Sequence, residues 1–193
     1  MSLIDEDEAL IAAALNGSAF AWEKLVRRYE ARIYNQGLRL MGNSADAMDL
    51  EQEVFLGVYR NLHRFRGDAK FSSWIFRIAH NKAVDLNRRK RILAGSISSS
   101  KNEEDEFLDT FPGESEAEPD TRLLQNELNK NTMALLMKLP IEQRLVVELK
   151  IFQTLTFEEI AEMQDISENT AKTRFYTALR KLKVVSEENH ALS

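Results

Sequence analysis

Apolar residues recur every three or four positions through most of the N-terminal half, which predicts a series of amphipathic helices. Residues Asp7 to Leu40 form the first such stretch. The triplet Asn16-Gly17-Ser18 interrupts it, and Ser18 is placed to cap the helix that follows. A turn at Gly42, which suits a left-handed C-cap, then separates this stretch from a second helix, predicted from about Ala45 to Leu62.

The second helix carries acids in its first half and apolar residues at helical spacing. The apolar positions are Leu50, Val54, Phe55, Val58, Tyr59 and Leu62. The acids are Asp46, Asp49, Glu51 and Glu53. Acids near a helix start interact favourably with the helix macrodipole, and the same cluster suits a basic partner. Both interpretations stay open at this point.

A short Gly-containing loop, Arg64–Lys70, leads into a third helix predicted from Ser72 to about Arg91, with Ser72 or Ser73 as its cap. The core face is expected to hold Ile75, Ile78, Ala79, Ala83 and Leu86. A second stripe combines an aromatic ring with charged groups and an amide: Trp74, Arg77, Asn81, Asp85 and Arg88. A solvated face rarely needs a tryptophan, and burying Phe71, Trp74 and Phe76 together would oversupply one small core. Aromatic rings beside cations suit bases that have left the stack.

The periodicity disappears between Leu93 and about Thr121. This segment is rich in serine and then in acids, and Pro112, Gly113 and Pro119 punctuate it, so it is interpreted as a flexible linker. Helical spacing then returns in four shorter stretches: Leu123–Leu139, Glu142–Phe152, Phe157–Met163 and Glu168 to about Val184. The sequence therefore predicts an all-α fold of two small helical domains joined by an acidic linker.

The last two helices have the size and spacing of a helix-turn-helix. Thr156 and Glu159 form a capping box for the first, and Ser167 is placed to cap the second. At 100° per residue, the inner side of the second helix holds Ala171, Phe175, Ala178, Leu179 and Leu182. The outer side holds Asn169, Thr173, Tyr176, Thr177 and Arg180, with Lys172 and Arg174 flanking it. This arrangement suits a major groove, although a polar outer face on a C-terminal helix has the same pattern.

The formal net charge of −5 would argue against a nucleic-acid partner if the charges were spread evenly along the chain. They are segregated instead. Ten cations and two acids lie between Arg60 and Arg91, whereas nine acids and no cation lie between Asn102 and Asp120. The local electrostatic field decides which partner binds, so a protein with a negative net charge still presents a basic surface where its cations are clustered.

Several classes of chemistry are disfavoured. Cysteine is absent, the three histidines (His63, His80 and His190) are scattered, and no Gly-rich phosphate loop is present. We therefore expect no catalytic residue, metal or cofactor, and a nucleotide-acting enzyme is the least favoured class. The start is acidic where a signal peptide would be basic, and Leu10–Leu15 is too short to span a bilayer, so a cytoplasmic protein is expected.

In order and spacing these motifs resemble the sigma factors of bacterial RNA polymerase, in the compact extracytoplasmic-function (RpoE-like) group that keeps only domains two and four. The resemblance covers nearly the whole chain: Asp46–Phe55 is similar to the segment that grips the polymerase clamp, and Phe65–Ala79 to the melting region. Leu139-Pro140 and Glu159-Ile160-Ala161 match the entry to domain four, and Asn169–Arg174 resembles its usual Gly-Thr-Val-Lys-Ser-Arg. Asn169 and Ala171 depart from that pattern.

The resemblance implies two domains, 1–92 and 123–187, a linker at 93–122 and a tail at 188–193. It implies binding of core polymerase through Asp46, Asp49, Leu50, Gln52, Glu53 and Phe55. Binding of the promoter −10 strand would use Phe65, Arg66, Gly67, Asp68, Lys70, Phe71, Trp74, Arg77, His80, Asn81, Asp85 and Arg88. Reading of the −35 duplex would use Asn169, Thr170, Lys172, Thr173, Arg174, Tyr176, Thr177 and Arg180.

The partners implied are core RNA polymerase (its β′ clamp and β flap), promoter DNA and an anti-sigma factor, in the setting of a stress response. One alternative stays open, a stand-alone helix-turn-helix regulator. Such a protein would bind duplex DNA unaided and would need neither the aromatic, basic stretch nor the acidic helix.

Overall fold

The computed structural model describes residues 3–96 and 131–191. Within these ranges the regular structure is entirely helical, which confirms the predicted all-α class. The described chain divides into two compact units, of which the first comprises residues 3–37 and 45–96 and the second comprises residues 38–44 and 131–191. The predicted linker lies mostly outside the described residues.

The first unit is built from four helices: α1 (Leu3–Leu15), α2 (Ala19–Met41), α3 (Ser44–Asn61) and α4 (Phe71–Ser96). The predicted cap between α1 and α2 is confirmed, because the Ser18 hydroxyl accepts a hydrogen bond from the amide of Ala21 at 3.2 Å. Gly42, which follows α2, has a φ of +85°, as expected for a left-handed residue at a helix end. Local chemistry therefore sets both ends of α2.

The core of the first unit forms where apolar stripes of α2, α3 and α4 are removed from solvent. Its fully buried side chains include Leu25, Ile33, Leu50, Val54, Val58, Ile75, Ala79 and Ala83. Helices α2 and α3 approach closely at Gly37, where an added Cβ would lie 2.9 Å from the Cα of Ala47. An alanine at position 37 would force these helices apart, so glycine is required for this packing.

Helix α4 differs from its prediction at both ends. It begins at Phe71, because the carbonyl of Lys70 accepts from the amide of Trp74 at 3.2 Å, so neither Ser72 nor Ser73 is the cap. It continues to Ser96, beyond the predicted end at Arg91. The preceding helix also differs, since α3 ends at Asn61 and a 3₁₀ turn, Leu62–Arg64, follows it.

The second unit contains α5 (residues 131–137 of the described chain), α6 (Ile141–Val147), α7 (Phe157–Gln164) and α8 (Glu168–Ala191). A single π-helical turn, Glu148–Phe152, replaces the last part of the α-helix predicted there. The core under α7 and α8 consists of Val146, Leu149, Ile160, Met163 and Ala171. A second cluster joins α5 and α6 to the middle of α8 through Leu136, Leu139, Val147 and Ala178.

The caps predicted for the helix-turn-helix are confirmed. Thr156 and Glu159 form a capping box, with the Thr156 hydroxyl accepting from the Glu159 amide and the Glu159 carboxylate accepting from the Thr156 amide. The turn begins at Asp165, the residue after α7, whose φ of 54° is left-handed. Ser167 then accepts from the Thr170 amide at 3.0 Å and so starts α8.

Candidate nucleic-acid interface

A cavity of about 520 Å³ opens beside the loop that precedes α4. The loop and the start of α4 supply Phe65, Gly67, Asp68, Ala69, Lys70, Phe71 and Ser72. The opposite lining comes from α1 and α2 and consists of Asp7, Glu8, Tyr29 and Arg32. The cavity combines aromatic surface with charges of both signs, which suits a flat, polar-edged ligand such as a nucleobase.

Three aromatic rings form one cluster around the start of α4, and two of them, Phe65 and Phe71, line the cavity. The ring centroid of Phe71 lies 5.4 Å from that of Phe65 and 5.6 Å from that of Trp74, and Phe65 and Trp74 are 5.5 Å apart. Phe71 and Phe76 are buried, at 4% and 3% exposure, whereas Phe65 and Trp74 are partly exposed. The expectation that these aromatics would oversupply the core is therefore wrong for Phe71 and Phe76, because α4 inserts both between its neighbours.

The polar stripe predicted on α4 lies at the surface. Arg77, Asn81 and Arg88 are exposed, and Asp85 is half-buried and accepts a hydrogen bond from Arg88 at 3.0 Å. Among the loop residues predicted to bind DNA, Arg66, Gly67, Asp68 and Lys70 are exposed. These side chains are available to a strand that runs along α4 from the cavity.

Two of the residues predicted to bind DNA do not reach the surface. His80 is 6% exposed and Phe71 is 4% exposed, since both lie on the inward side of α4 beside Ile75 and Ala79 in helical spacing. His80 does not line the cavity, whereas Phe71 contributes to its lining although little of its surface is accessible. We therefore reassign His80 as a residue that supports the surface from within.

A buried polar pair in the wall of the cavity links α1 to α2. The Tyr29 hydroxyl donates to Asp7 Oδ2 at 2.6 Å, and Arg28 Nη1 donates to Asp7 Oδ1 at 2.6 Å. Burial, followed by the bond to Asp7, raises the pKa of Tyr29 well above its usual value, so its hydroxyl stays protonated at neutral pH. The sequence pattern of α1 did not indicate this pair, because the two partners are separated by 22 positions.

The α3 residues predicted to bind polymerase fall into three groups. Asp49 and Gln52 are exposed and Phe55 is half-buried, so they are available to a partner. Asp46 and Glu53 bind cations of α4, with Asp46 bonded to Lys90 and Glu53 Oε2 2.6 Å from Lys82 Nζ. The bond from Lys82 lowers the pKa of Glu53. Leu50 is fully buried, so its assignment to the interface is wrong and it belongs to the core.

Sequence reasoning missed an apolar surface on the same helix. Met48, Leu56 and Tyr59 are exposed, and Tyr59, one of the apolar positions predicted for this helix, has 67% of its surface accessible. The spacing of Met48, Gln52, Leu56 and Tyr59 by four, four and three residues indicates one face. This spacing was the signal in the sequence that could have indicated the exposed face. This face adds apolar area next to Asp49 and Gln52.

The outer face of α8 is largely accessible. Asn169, Lys172, Thr173, Tyr176 and Arg180 are exposed. Thr170, Arg174 and Thr177 are half-buried and bonded locally: Thr170 to Ser167 at 2.7 Å, Arg174 to Gln164 at 3.3 Å and Thr177 to Arg180 at 3.3 Å. Leu179, predicted to face inward, is exposed.

Within residues 3–96 and 131–191, no three His, Asp or Glu side chains converge in a way that could hold a metal ion. Among the helices described, none combines the length and apolar character that a membrane crossing requires. The polar surfaces described above belong to α3, α4 with its loop, and α8.

Two family matches cover these surfaces. The sigma-70 region 2 family matches residues 25–92, and the sigma-70 region 4 family matches residues 130–182. The chain is 31% identical to the ECF RNA polymerase sigma factor SigW of Bacillus subtilis over 174 residues, which cover 86% of this chain and 90% of SigW. It is 28% identical to the RNA polymerase sigma-H factor of Pseudomonas aeruginosa over 177 residues, covering 90% of both proteins.

Solved structures of similar fold are found as well. CnrH, solved in complex with the cytosolic domain of CnrY, superposes with a TM-score of 0.64 at 24% identity, over 95% of this chain and 98% of CnrH. The sigma factor RpoE of Bartonella quintana, solved in complex with the anti-sigma factor NepR, superposes with a TM-score of 0.66 at 17% identity, over 86% of this chain and 96% of RpoE. At these identities the likeness concerns the fold.

Proposed function

Because the chain belongs to the extracytoplasmic-function group of the sigma-70 family and acts in transcription initiation, we propose that it reads the promoter at two separate places. Its first unit captures the melted non-template strand of the −10 element, and its second unit reads the −35 element as duplex. The observation that carries this proposal is the cavity lined by Phe65 and Tyr29, together with the exposed polar side chains of α4.

Capture of one base explains how opening proceeds without a catalytic residue in this chain. Extracting a base from the duplex costs a few kcal/mol. Stacking on an aromatic surface contributes about 1–3 kcal/mol per base. The cavity offers Phe65 for this contact, and the partly exposed ring of Trp74 lies 5.5 Å from that of Phe65. Asn81 and Arg77, exposed on the adjoining turns of α4, extend the contact along the strand.

The basic end of α4 holds the phosphates. Arg88, Arg89, Lys90 and Arg91 are exposed there within one turn of helix. Such contacts release counterions, so binding of promoter DNA should weaken steeply as salt is raised. They carry no sequence information and serve to position the strand against the cavity.

In the second unit, α8 enters the major groove. The exposed side chains of Asn169, Thr173 and Arg180 are the candidates for base edges, and each good contact contributes about 1–3 kcal/mol of discrimination. Lys172 is the candidate for a phosphate. The half-buried Thr170, Arg174 and Thr177 support this surface through their local bonds.

Core RNA polymerase is the partner proposed for α3. Asp49 and Gln52 supply polar groups, and Met48 and Leu56 supply apolar area beside them, a combination that suits a basic partner with apolar side chains. We place the polymerase β′ clamp here and the β flap on the second unit. An anti-sigma factor is the further partner proposed, as for the RpoE of Bartonella quintana.

Transcription from a randomised promoter library tests the proposal. The full chain is added to core RNA polymerase, and initiation is compared with core alone. We expect a subset of fragments with shared −35 and −10 elements to gain defined start sites. If no fragment gains initiation over core alone, the proposal fails.

The helix-turn-helix geometry of α7 and α8 also suits a regulator that binds duplex DNA unaided. A gel shift without polymerase separates the two functions. Tight, sequence-specific binding of the free chain to a duplex, together with failure of the transcription assay, would favour the stand-alone regulator.

A further inference from the structure

One wall of the cavity comes from a helix outside the residues that the two family matches cover. Helix α1 precedes residues 25–92 and contributes Asp7 and Glu8 to the lining. Asp7 is a charged residue with only 9% of its surface exposed. A buried carboxylate is costly unless it is paired, so its partners show what holds α1 at this place.

Both oxygens of Asp7 are bonded to neighbouring residues of α2. Arg28 donates to Oδ1 and Tyr29 donates to Oδ2, each at 2.6 Å, and Arg28 also bonds Glu6 at 2.7 Å. Charge-assisted bonds of this length are directional. They fix the position of the Tyr29 hydroxyl relative to α1.

The ring of Tyr29, held in place by this bond, packs directly against the aromatic cluster. Its centroid lies 5.4 Å from that of Phe71, in an edge-to-face arrangement, and Phe71 contacts Phe65 and Trp74 in turn. Tyr29 is 3% exposed, so its ring has little room to move independently. A continuous series of contacts therefore runs from Asp7 to Phe65, the first residue of the loop at the cavity.

We propose that Asp7 and Tyr29 are positioning residues for base capture, with α1 holding the aromatic side chains of the cavity in place before DNA arrives. This proposal rests on the proposed function of the cavity. Ordering side chains in advance lowers the cost of binding, because their freedom is not lost at the moment of capture. Without the Asp7–Tyr29 bond, the cluster must be ordered by the incoming base itself.

The variant Tyr29→Phe removes the hydroxyl and keeps the ring. Tyr34→Phe is the matched control, since Tyr34 lies on the same helix and does not line the cavity. Each full-length variant is combined with core polymerase. The probes are fluorescent single strands from a −10 element recovered in the transcription assay, either intact or with an abasic site at each position in turn.

The measured quantity is the ratio of affinities for the intact and abasic strands. We expect one position at which wild type strongly prefers the intact strand. Tyr29→Phe should reduce that preference at least about fivefold, the effect of one lost buried hydrogen bond, while Tyr34→Phe leaves it unchanged. Core binding should be the same for all three proteins.

Asp7→Ala and the double variant complete the test. If both residues act through one bond, the double variant should lose no more preference than the larger single loss. An unchanged preference in Tyr29→Phe overturns the proposal. So does an equal loss of affinity for intact and abasic strands, which a purely structural role predicts. If wild type itself shows no preference at any position, the proposed capture function fails instead.

Discussion

Lys82 Nζ lies 2.6 Å from Glu53 Oε2, so an acid of α3 binds a cation of α4. The two helices carry the surfaces proposed for polymerase and for DNA, respectively. Asp46 and Lys90 repeat this relationship closer to the start of α3. Two of the acids that the sequence suggested for polymerase binding are thus engaged within the first unit, and part of the positive charge of α4 is neutralised internally.

The Glu53–Lys82 pair should make a small, pH-dependent contribution to stability. Because the pKa of Glu53 is lowered in the folded chain, the contribution is present above its ordinary pKa and is lost as pH falls through the lowered value. Both side chains are about one-third exposed, so Glu53→Gln should reduce the free energy of unfolding at pH 7 by less than about 1 kcal/mol.

Thermal unfolding of wild type and Glu53→Gln between pH 7 and pH 3 checks this. The difference in Tm should shrink as the pH falls toward the lowered pKa of Glu53. Glu23→Gln, which breaks the more exposed pair with Arg27, is the control and should change Tm less. A Tm difference that persists below the pKa of Glu53 would contradict the assignment.

Asn81→Ala should separate DNA opening from folding. Asn81 is exposed on α4, so its removal should change the free energy of unfolding by no more than about 0.5 kcal/mol. Binding of core polymerase should persist. Promoter opening, measured by permanganate reactivity of unpaired thymines, should fall. Loss of core binding instead would assign Asn81 a structural role.

Phe71→Ala should act chiefly on stability. Its ring is buried among Tyr29, Phe65 and Trp74, and truncation leaves a cavity that costs about 3–5 kcal/mol. Denaturant unfolding measures this change. Phe20→Ala is the matched control, because Phe20 is an exposed phenylalanine of the same unit, and it should cost far less. Comparable losses in both variants would show that Phe71 is not a core residue.

Asn169→Ala and Lys172→Ala should affect −35 binding differently. If Asn169 reads a base edge, its removal relaxes preference at one position, at a cost of about 1–3 kcal/mol. If Lys172 contacts a phosphate, its removal weakens all sequences equally and lowers the salt slope by about 1. Competition binding of the holoenzyme to −35 variants at several salt concentrations distinguishes them. A changed base preference in Lys172→Ala would reverse that assignment.

Local sequence chemistry predicted the helix starts that a capping side chain sets. Ser18, the Thr156–Glu159 capping box and Ser167 all act as predicted, because a cap depends on groups within three residues of one another. The start of α4 was wrong by one residue. Its first turn is set by the carbonyl of Lys70, which has no side-chain signature in the sequence.

Periodicity identified which positions share a helix face but not what covers that face. Leu50 and Tyr59 lie on the same helix and were both assigned to its apolar side, yet Leu50 is fully buried and Tyr59 is exposed. His80 and Phe71 looked like members of a DNA surface and are buried. Whether each of these side chains is buried or exposed depends on how neighbouring helices pack against it, and the sequence of a single helix does not specify that packing.

The helical class, the helix starts set by capping side chains, the basic stretch of α4 and the polar outer face of α8 could all be predicted from the amino-acid sequence. These features follow from residue type and short-range spacing. The wall that α1 forms at the cavity, and the bond between Asp7 and Tyr29 beside the aromatic cluster, became visible only in the folded chain. Contacts between residues far apart in the chain arise from the packing of several helices at once, so no local sequence pattern predicts them.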